Sequence, residues 1–371
     1  MTVLSAAALA LSGQPAAVAS PEINADHTVT FRLRAPGART VALRCEGVPD
    51  ATLIKNDDGV WSFTTAPLAP DIYYYSYIVD SVRMTDPANP HLKYNLLSNS
   101  SELIVPSPAG APPQIWQRTG APRGILHRHS YKSKTSGDDR DFIVYTPPGY
   151  DPADAGARHP VLYLLHGYSD DATAWSTAGR ADTILDNLIA AGKARPMIVV
   201  MPLGYGTLDV VRAGWQGMRA KPGLWEKNLR DFDPILTGEI VPQVEAAYRV
   251  STKREDRAIA GLSMGGAESL AIGLNHTDLF AWIGAFSSGG LPTDFDAAYP
   301  KYNGDTAKQI RLLWLACGKE DQLITVNNNI VAWLKQKAPG VSLQYTVSEH
   351  GHTFRNWRRY LADFAPLLFQ K

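Results

Sequence analysis

The chain has 371 residues, and its 36 Lys+Arg balance its 36 Asp+Glu, so the formal net charge is zero. This balance gives no electrostatic reason to expect nucleic acid or an anionic membrane as a partner, and no apolar run approaches the roughly 20 residues of a membrane span. A hydrophobic content of 45% with 19% charged residues is typical of a globular protein, here long enough for two domains.

Residues 1–19 are predicted to form an N-terminal arm or the remnant of an export signal. An alanine- and leucine-rich run over residues 3–11 is followed by the small residues Ala16–Ala19, which resemble a cleavage site. The basic segment that normally opens a signal peptide is missing. We expect a secreted or periplasmic protein, with an arm that packs on the body as the alternative.

Residues 20–107 are predicted to form an all-β sandwich. Residues 28–34 and 40–44 alternate apolar and polar side chains with period two, and turn residues separate the successive strands. The tyrosine-rich run over 71–80 suits a strand covered on both faces. Short strands at this spacing favour a small immunoglobulin-like sandwich. We expect Trp61 and these tyrosines to serve as core rather than as a sugar-binding platform.

A proline-rich linker is predicted over residues 108–122, since Pro and Gly cluster between 106 and 113. From residue 123 to 371 apolar strands alternate with helical patterns, which predicts a mostly parallel sheet with helices on both faces. Cys45 and Cys317 fall in different domains and form no disulfide framework; Cys317 lies in an apolar strand, as expected of a buried thiol. No Cys/His group has metal-ligand spacing, so no metal is expected.

The run Arg257–Gly266 contains Gly-x-Ser-x-Gly between an apolar strand and a helix. That context predicts a nucleophile elbow, in which a tight turn lifts the Ser263 hydroxyl above the sheet of an α/β-hydrolase fold. Glycines at 261 and 265 remove the Cβ atoms that would collide in such a turn. The sequence therefore nominates Ser263 as a catalytic nucleophile.

A serine nucleophile at neutral pH needs a base, and the base needs an acid to hold its other nitrogen. In this fold the acid and then the histidine follow the serine, each after a later strand. Asp321 and His352 fit that order. Glu320 is the alternative acid and His350 the alternative base. The acyl-transfer chemistry of a serine nucleophile needs no cofactor.

The oxyanion hole is predicted to use the backbone N–H groups of Met264 and Tyr168. Met264 follows the nucleophile, and Tyr168 lies in the loop after the strand that ends at His166-Gly167. We expect His166 to hold this loop by hydrogen bonds rather than to transfer protons. The long segment 203–230 is predicted to be a functional loop.

Two aromatic residues of that loop, Trp215 and Tyr205, are candidate substrate contacts. An aromatic face would stack on a planar acyl ring, whereas an acetyl group would gain little from it. Trp215 is flanked by Gly214 and Gly217 and is expected on a turn. Trp225 is expected to fix the loop to the body.

Several motifs resemble the esterase D-type hydrolases of carbohydrate esterase family 1. They lie around His166, Ser263, Asp321 and His352 and over residues 242–249. The resemblance covers nearly all of the chain after the linker and implies Ser263, Asp321 and His352 as nucleophile, acid and base. The order of turns and strands in residues 59–90 resembles, more loosely, family 48 carbohydrate-binding modules. Such a module before a feruloyl esterase is a known arrangement.

The resemblance implies a serine carboxylesterase that removes hydroxycinnamoyl groups, feruloyl above all, from a plant polysaccharide or oligosaccharide such as arabinoxylan. The alternatives are an acetylxylan esterase, a siderophore esterase of the enterochelin type, an acyltransferase, and a carbohydrate-binding protein with a silent hydrolase domain. The sandwich supplies no residue of the triad, so we expect it to be dispensable for turnover of a small soluble ester.

Overall fold

A computed structural model describes residues 17–370, so nearly all of the predicted N-terminal arm lies outside the described residues. The described chain divides into two compact units. The first comprises the residues up to Leu92 together with Ser100–Pro106. The second comprises Lys93–Asn99 together with the chain from Ser107 onward. The short segment Lys93–Asn99 therefore belongs to the second unit although both its neighbours along the chain belong to the first.

Two antiparallel sheets make up the first unit. One has the order β1-β2-β6-β5, and the other β4-β3-β7-β10-β9 with β8 paired to β7. The strands are β1 Glu22–Ile23, β2 Val29–Arg34, β3 Val41–Cys45, β4 Val48–Thr52, β5 Ile54–Lys55, β6 Val60–Thr64, β7 Asp71–Val79, β8 Val82–Met84, β9 Leu92–Lys93 and β10 Ser100–Val105.

The inward side chains of both sheets meet in one core. Val29, Phe31 and Leu33 alternate along β2 and pack with Tyr73, Tyr75 and Tyr77 of β7. Alternation places every second residue on one face of a strand, which is why the period-two pattern predicts this packing. Trp61 also lies in this core, with 7% of its surface exposed. The predicted β-sandwich and the core role of its aromatic residues are confirmed.

One eight-stranded sheet organises the second unit, in the order β11-β12-β14-β13-β15-β16-β17-β18. β11 and β12 are antiparallel to their neighbours, and from β14 to β18 all pairs are parallel. The strands are β11 Ile125–Lys132, β12 Asp139–Thr146, β13 Val161–Leu165, β14 Ile198–Pro202, β15 Arg257–Leu262, β16 Trp282–Phe286, β17 Leu312–Gly318 and β18 Leu343–Ser348. The parallel strands β13 to β17 are buried, mostly apolar runs, as expected when both faces are covered, whereas β18 at the edge of the sheet is only partly buried.

Helices cover both faces of this sheet. They are α1 Ala174–Thr177, α2 Ala181–Ala190, α3 Asp209–Arg212, α4 Gly214–Ala220, α5 Leu224–Ile235, α6 Val241–Ala247, α7 Met264–Asn275, α8 Phe295–Ala298, α9 Gly304–Ala307, α10 Ile324–Lys337 and α11 Phe354–Phe364. Ala285 shares a core with Leu270 of α7, whereas the next residue, Phe286, packs on Phe364 of α11. Since successive residues of a strand face opposite ways, α7 and α11 lie on opposite faces. The predicted α/β-hydrolase fold is confirmed.

A π-helical turn over Leu236–Ile240 joins α5 to α6. Two local expectations are corrected. The segment 203–230 is predicted to be a loop because it is rich in glycine and aromatic residues. In the structure it contains α3, α4 and most of α5. The second half of the predicted linker is packed: Trp116 is 6% exposed, and Asn187 Nδ2 donates to the carbonyls of Ile115 and Gln117.

Candidate active site

Ser263 occupies a strained turn between β15 and α7. Its backbone has φ 53° and ψ −114°, a region that L-residues rarely adopt. A Cβ at Gly261 would lie 2.4 Å from the carbonyl oxygen of Gly265, and one at Gly265 would lie 2.6 Å from that of His166. The close packing of strand, turn and neighbouring loop thus requires both glycines. The predicted elbow is present, and it projects Ser263 at the carboxyl end of the sheet.

The structure brings Ser263, His352 and Asp321 into one hydrogen-bonded array. His352 Nε2 lies 3.0 Å from Ser263 Oγ, and His352 Nδ1 lies 2.9 Å from Asp321 Oδ2. A carboxylate only accepts, so Nδ1 carries the proton and Nε2 is free to take one from the serine hydroxyl. The three residues come from the ends of different parallel strands, β15, β17 and β18, which meet at one edge of the sheet.

Asp321 is held as a carboxylate within a buried setting, its side chain fully covered. Burial by itself would raise the pKa of Asp321, but the hydrogen bond and charge of His352 and the N–H of Leu323 hold it below its ordinary value. The Leu323 N–H donates to Asp321 Oδ1 at 2.9 Å, leaving Oδ2 for the histidine. An ionised Asp321 can orient the imidazole and stabilise its protonated form.

The alternatives Glu320 and His350 are placed differently. Glu320 is exposed, whereas Asp321 is 2% exposed and accepts from His352. His350 has φ 68°, and its carbonyl oxygen lies against Gly318, where an added Cβ would be 2.0 Å away. Asn356 Nδ2 donates to the Gly351 carbonyl at 3.1 Å and fixes the turn that carries His352.

Met264 directly follows Ser263, and Tyr168 follows Gly167, where an added Cβ would lie 3.3 Å from the Ser263 Cβ. Met264 is the first residue of α7, where helical N–H groups have no partner within the helix. Gly265 N–H donates to the His166 carbonyl at 3.1 Å, which ties the loop that carries Tyr168 to the start of α7. Among the described residues no acceptor is assigned to the N–H of Met264 or of Tyr168. Both N–H groups thus have no assigned acceptor, as the predicted oxyanion hole requires, and that role stays a prediction.

His166 holds the loop and does not reach the serine. It is 1% exposed, its Nδ1 donates to the Gly167 carbonyl at 2.8 Å, and its Nε2 accepts from the Gly204 N–H at 2.8 Å. Burial lowers its pKa, so the ring is neutral in this arrangement. The predicted supporting position of His166 agrees with these contacts.

Trp215 lies on α4 and packs against Tyr168, whereas the sequence predicts it on a turn. Its ring centroid is 4.2 Å from that of Tyr168, and 51% of its surface is exposed. The Tyr168 hydroxyl donates to the Val210 carbonyl, which fixes the ring against which the indole rests. Trp225 Nε1 donates to the Gly290 carbonyl at 2.8 Å, and this hydrogen bond joins the start of α5 to the segment after β16.

The expected substrate contact at Tyr205 is wrong for this structure. Tyr205 is fully buried, and its hydroxyl donates to the Asp170 carbonyl at 3.0 Å. The buried Arg140 guanidinium donates in turn to the Tyr205 carbonyl. Because both its ring and its hydroxyl are used internally, Tyr205 supports the loop after Tyr168 and has no surface left for a ligand.

Two buried asparagines that the sequence analysis did not identify support the site. Asn327 of α10 exchanges hydrogen bonds with the backbone of Ser288, next to Gly289, whose N–H donates to the Ser263 carbonyl. Asn228 accepts from the Gly206 N–H and lies 3.7 Å from the Met264 sulfur. The only signal in the sequence is a polar residue within an apolar helical face, which does not reveal its partner.

Cys317 is fully buried in β17, as predicted, and burial together with the charge of Asp321 raises the pKa of its thiol to about 12. Residues 17–370 contain no group of His, Cys, Asp and Glu side chains arranged to hold a metal ion. Over the same residues, no helix has both the length and the apolar character needed to cross a bilayer.

The family "Putative esterase" matches residues 133–370 of this chain. An endo-1,4-beta-xylanase/feruloyl esterase of Xylanibacter ruminicola is 30% identical over 356 residues, which cover 94% of this chain and 46% of the relative. This chain therefore spans less than half the length of that relative.

Two solved structures extend the comparison. A ferulic acid esterase is 26% identical with a TM-score of 0.55, covering 66% of this chain and 97% of the other. The enterobactin esterase of Shigella flexneri is 19% identical with a TM-score of 0.67, covering 91% and 92% of the two chains. The second likeness extends over both units but, at this identity, it concerns the fold alone.

Proposed function

The chain belongs to the esterase family, and we propose that it is a serine carboxylesterase that works through an acyl-enzyme. The observation that carries this proposal is the continuous array Ser263–His352–Asp321, with hydrogen bonds of 3.0 and 2.9 Å. Ser263 is the proposed nucleophile, His352 the base and Asp321 the acid that orients it. This array activates a hydroxyl without requiring any cofactor.

In the proposed acylation step, Ser263 Oγ attacks the ester carbonyl carbon while His352 Nε2 takes the hydroxyl proton. The carbonyl π electrons move to oxygen, and the N–H groups of Met264 and Tyr168 donate to the resulting oxyanion. When the carbonyl re-forms, the bond to the alcohol oxygen breaks and His352 returns the proton to that oxygen. The alcohol leaves, and the acyl group stays on Ser263.

Deacylation repeats the sequence with water. His352 takes a proton from a water molecule as its oxygen attacks the acyl carbon, and the same two amides receive the oxyanion. Collapse breaks the bond to Ser263 Oγ, which regains its proton from His352. The carboxylic acid is released, and the array returns to its starting state.

For the substrate, we propose hydroxycinnamoyl esters, feruloyl above all, on a plant polysaccharide or oligosaccharide such as arabinoxylan. Support comes from the Xylanibacter relative, whose name includes feruloyl esterase, and from the ferulic acid esterase structure. Exposed Trp215 beside Tyr168 adds physical support, since a planar conjugated acyl group gains about 0.5–1.5 kcal/mol from a well-formed aromatic contact. A secreted or periplasmic location agrees with such a substrate.

We further propose that the second unit is a member of carbohydrate esterase family 1 and that the sandwich is a family 48-like carbohydrate-binding module. The motifs around Ser263, Asp321 and His352 support the first assignment. The buried positions of Trp61 and the β7 tyrosines mean that any sugar-binding surface of the sandwich uses other residues.

The test compares kcat/KM on methyl ferulate with that on a small acetate ester, together with release of ferulate from arabinoxylan and of acetate from acetylated xylan. We expect a preference for ferulate of about tenfold or more. A preference for acetate contradicts the acyl assignment, and faster cleavage of enterobactin than of either ester favours the siderophore alternative. Added sugar acceptor with analysis of products separates hydrolysis from acyl transfer.

A further inference from the structure

The segment Lys93–Asn99 contacts the loop that carries the proposed oxyanion donor Tyr168. The chain leaves the first unit at Leu92 and returns to it at Ser100, but the seven residues between them belong to the second unit. The Leu96 N–H donates to the Ser169 carbonyl at 2.7 Å. Asn95 Nδ2 donates to Ser169 Oγ at 2.9 Å and to Asp170 Oδ1 at 3.0 Å.

Lys93 adds a largely buried ion pair to these contacts. Its Nζ lies 2.8 Å from Asp170 Oδ1, and the exposed fractions of the two side chains are 17% and 6%. The same ammonium lies 5.3 Å from the ring centroid of Phe354, the first residue of α11 and two residues after His352. Lys93 therefore contacts both the loop that carries Tyr168 and α11, the helix that follows His352.

The loop needs such restraint because its backbone is strained. Ser169 has φ 69°, a left-handed conformation that is unfavourable for a residue with a Cβ. Strained conformations persist only where the surroundings hold them. Ser169 directly follows Tyr168, so relaxation at Ser169 would redirect the Tyr168 peptide.

We propose that Lys93–Asn99 is a positioning segment that fixes the direction of the Tyr168 N–H in the oxyanion hole. This inference rests on the proposed esterase function and makes Lys93 and Asn95 positioning residues, since neither contacts Ser263. It makes residues 93–99 an exception to the expectation that residues 20–107 are dispensable for turnover of a small soluble ester. The reason is physical: an oxyanion donor works only when aimed at the developing charge, and a displacement of about 1 Å lowers rates by about a hundredfold.

The experiment uses the full chain with the variants Lys93→Met and Asn95→Ala, the conservative Lys93→Arg, and Lys308→Met as the matched control. Lys308 forms an exposed ion pair with Asp305. Lys308→Met therefore shows how much the loss of a lysine ion pair by itself changes the rates. Two rates are measured: hydrolysis of 4-nitrophenyl acetate, and labelling of Ser263 by a fluorophosphonate. In the labelling, His352 takes the hydroxyl proton as Oγ bonds to phosphorus and fluoride leaves, so the rate depends on the array and the oxyanion hole and not on the natural acyl group. Rates are normalised to folded protein measured by circular dichroism.

We expect Lys93→Met and Asn95→Ala to lower both kcat and the labelling rate by about tenfold or more, with KM changed less than about twofold. Lys93→Arg should recover most of the loss, and Lys308→Met should match the unmodified chain. Loss of melting temperature without loss of rate per folded molecule overturns the inference, because it indicates a structural role only. Asn95→Ala keeps the ion pair between Lys93 and Asp170. If Lys93→Met fails to fold, the rates of Asn95→Ala therefore decide whether the segment positions the Tyr168 N–H.

The same measurements separate this inference from the proposed function. An unmodified chain that is labelled at Ser263 but hydrolyses neither methyl ferulate nor 4-nitrophenyl acetate contradicts the esterase proposal. The labelling rates of the variants then still decide the role of Lys93–Asn99.

Discussion

The imidazole of His352 rests against the indole of Trp357, with ring centroids 4.9 Å apart and planes at 88°. Trp357 also packs edge-on against Phe354, and only 5% of its surface is exposed. The histidine is thus fixed through its nitrogens by Ser263 and Asp321 and across its ring by a buried indole. A base held in three ways loses little freedom when the substrate binds.

Replacing Trp357 by leucine should lower kcat by about tenfold while KM stays within about twofold, because the imidazole gains rotational freedom. Steady-state kinetics on 4-nitrophenyl acetate measure this effect. Trp333→Leu is the control, since Trp333 packs on Tyr299 and Tyr302 away from the array. Equal losses of kcat in the two variants would indicate general destabilisation and contradict a specific role for Trp357.

Ser263→Ala and His352→Ala should each lower turnover by about 10⁴–10⁶, and the double variant should be little worse than either single one. The reason is that the serine and the histidine perform one proton transfer together. Pre-steady-state or long-time hydrolysis assays measure such small residual rates. An inactive His350→Ala beside a fully active His352→Ala would contradict the choice of base.

Asp321→Asn should reduce kcat by about 10³–10⁴, somewhat less than loss of the base. An amide can donate to Nδ1, so the imidazole proton is moved to Nε2, where it faces Ser263 and blocks proton transfer. Glu320→Gln is the matched control, because Glu320 is exposed and adjacent in the chain. Comparable losses in the two variants would argue against Asp321 as the single acid.

Trp215→Ala should lower kcat/KM on methyl ferulate by about tenfold and leave small acetate esters nearly unchanged, since only the planar acyl group uses the indole face. Trp215→Phe keeps an aromatic surface and should retain most of the preference. Parallel assays on the two esters give the ratio. An equal loss on both substrates would show that Trp215 supports Tyr168 rather than the acyl group.

Glu268 should make the protein less stable as the pH rises. It lies in α7, fully buried, and neither carboxyl oxygen has a hydrogen-bond partner among the described residues. Burial raises its pKa well above the ordinary 4.5. Above that ordinary value the unfolded chain releases the proton while the folded chain keeps it, so the free energy of unfolding falls with pH up to the folded pKa.

Glu268→Gln removes this titration. The melting temperature of the variant relative to the unmodified chain should therefore rise between about pH 5 and about pH 8. Glu226→Gln, at an exposed position of α5, serves as the control. A difference that stays constant over this pH range would contradict a protonated Glu268.

Much of the architecture follows from local rules that can be applied to the sequence. Period-two alternation predicts β2 and its place in the sandwich core, and continuous apolar runs predict the central parallel strands. The elbow at Ser263 can also be predicted from the sequence, because the turn requires Gly261 and Gly265 within two residues of the serine. Chain order then nominates Asp321 and His352. In each case the physical requirement lies within a short stretch or in a fixed order of elements.

Only the tertiary structure decides the features that depend on distant partners. Tyr205 and Trp215 both look like exposed loop aromatics in the sequence, yet Tyr205 is fully buried and Trp215 is half exposed. Their difference arises from Asp170 and Tyr168, residues of another loop. Lys93 and Asp170 are an ion pair across 77 positions. No local pattern encodes such a pair, since burial and electrostatic partners arise only when the folded chain brings separate segments together.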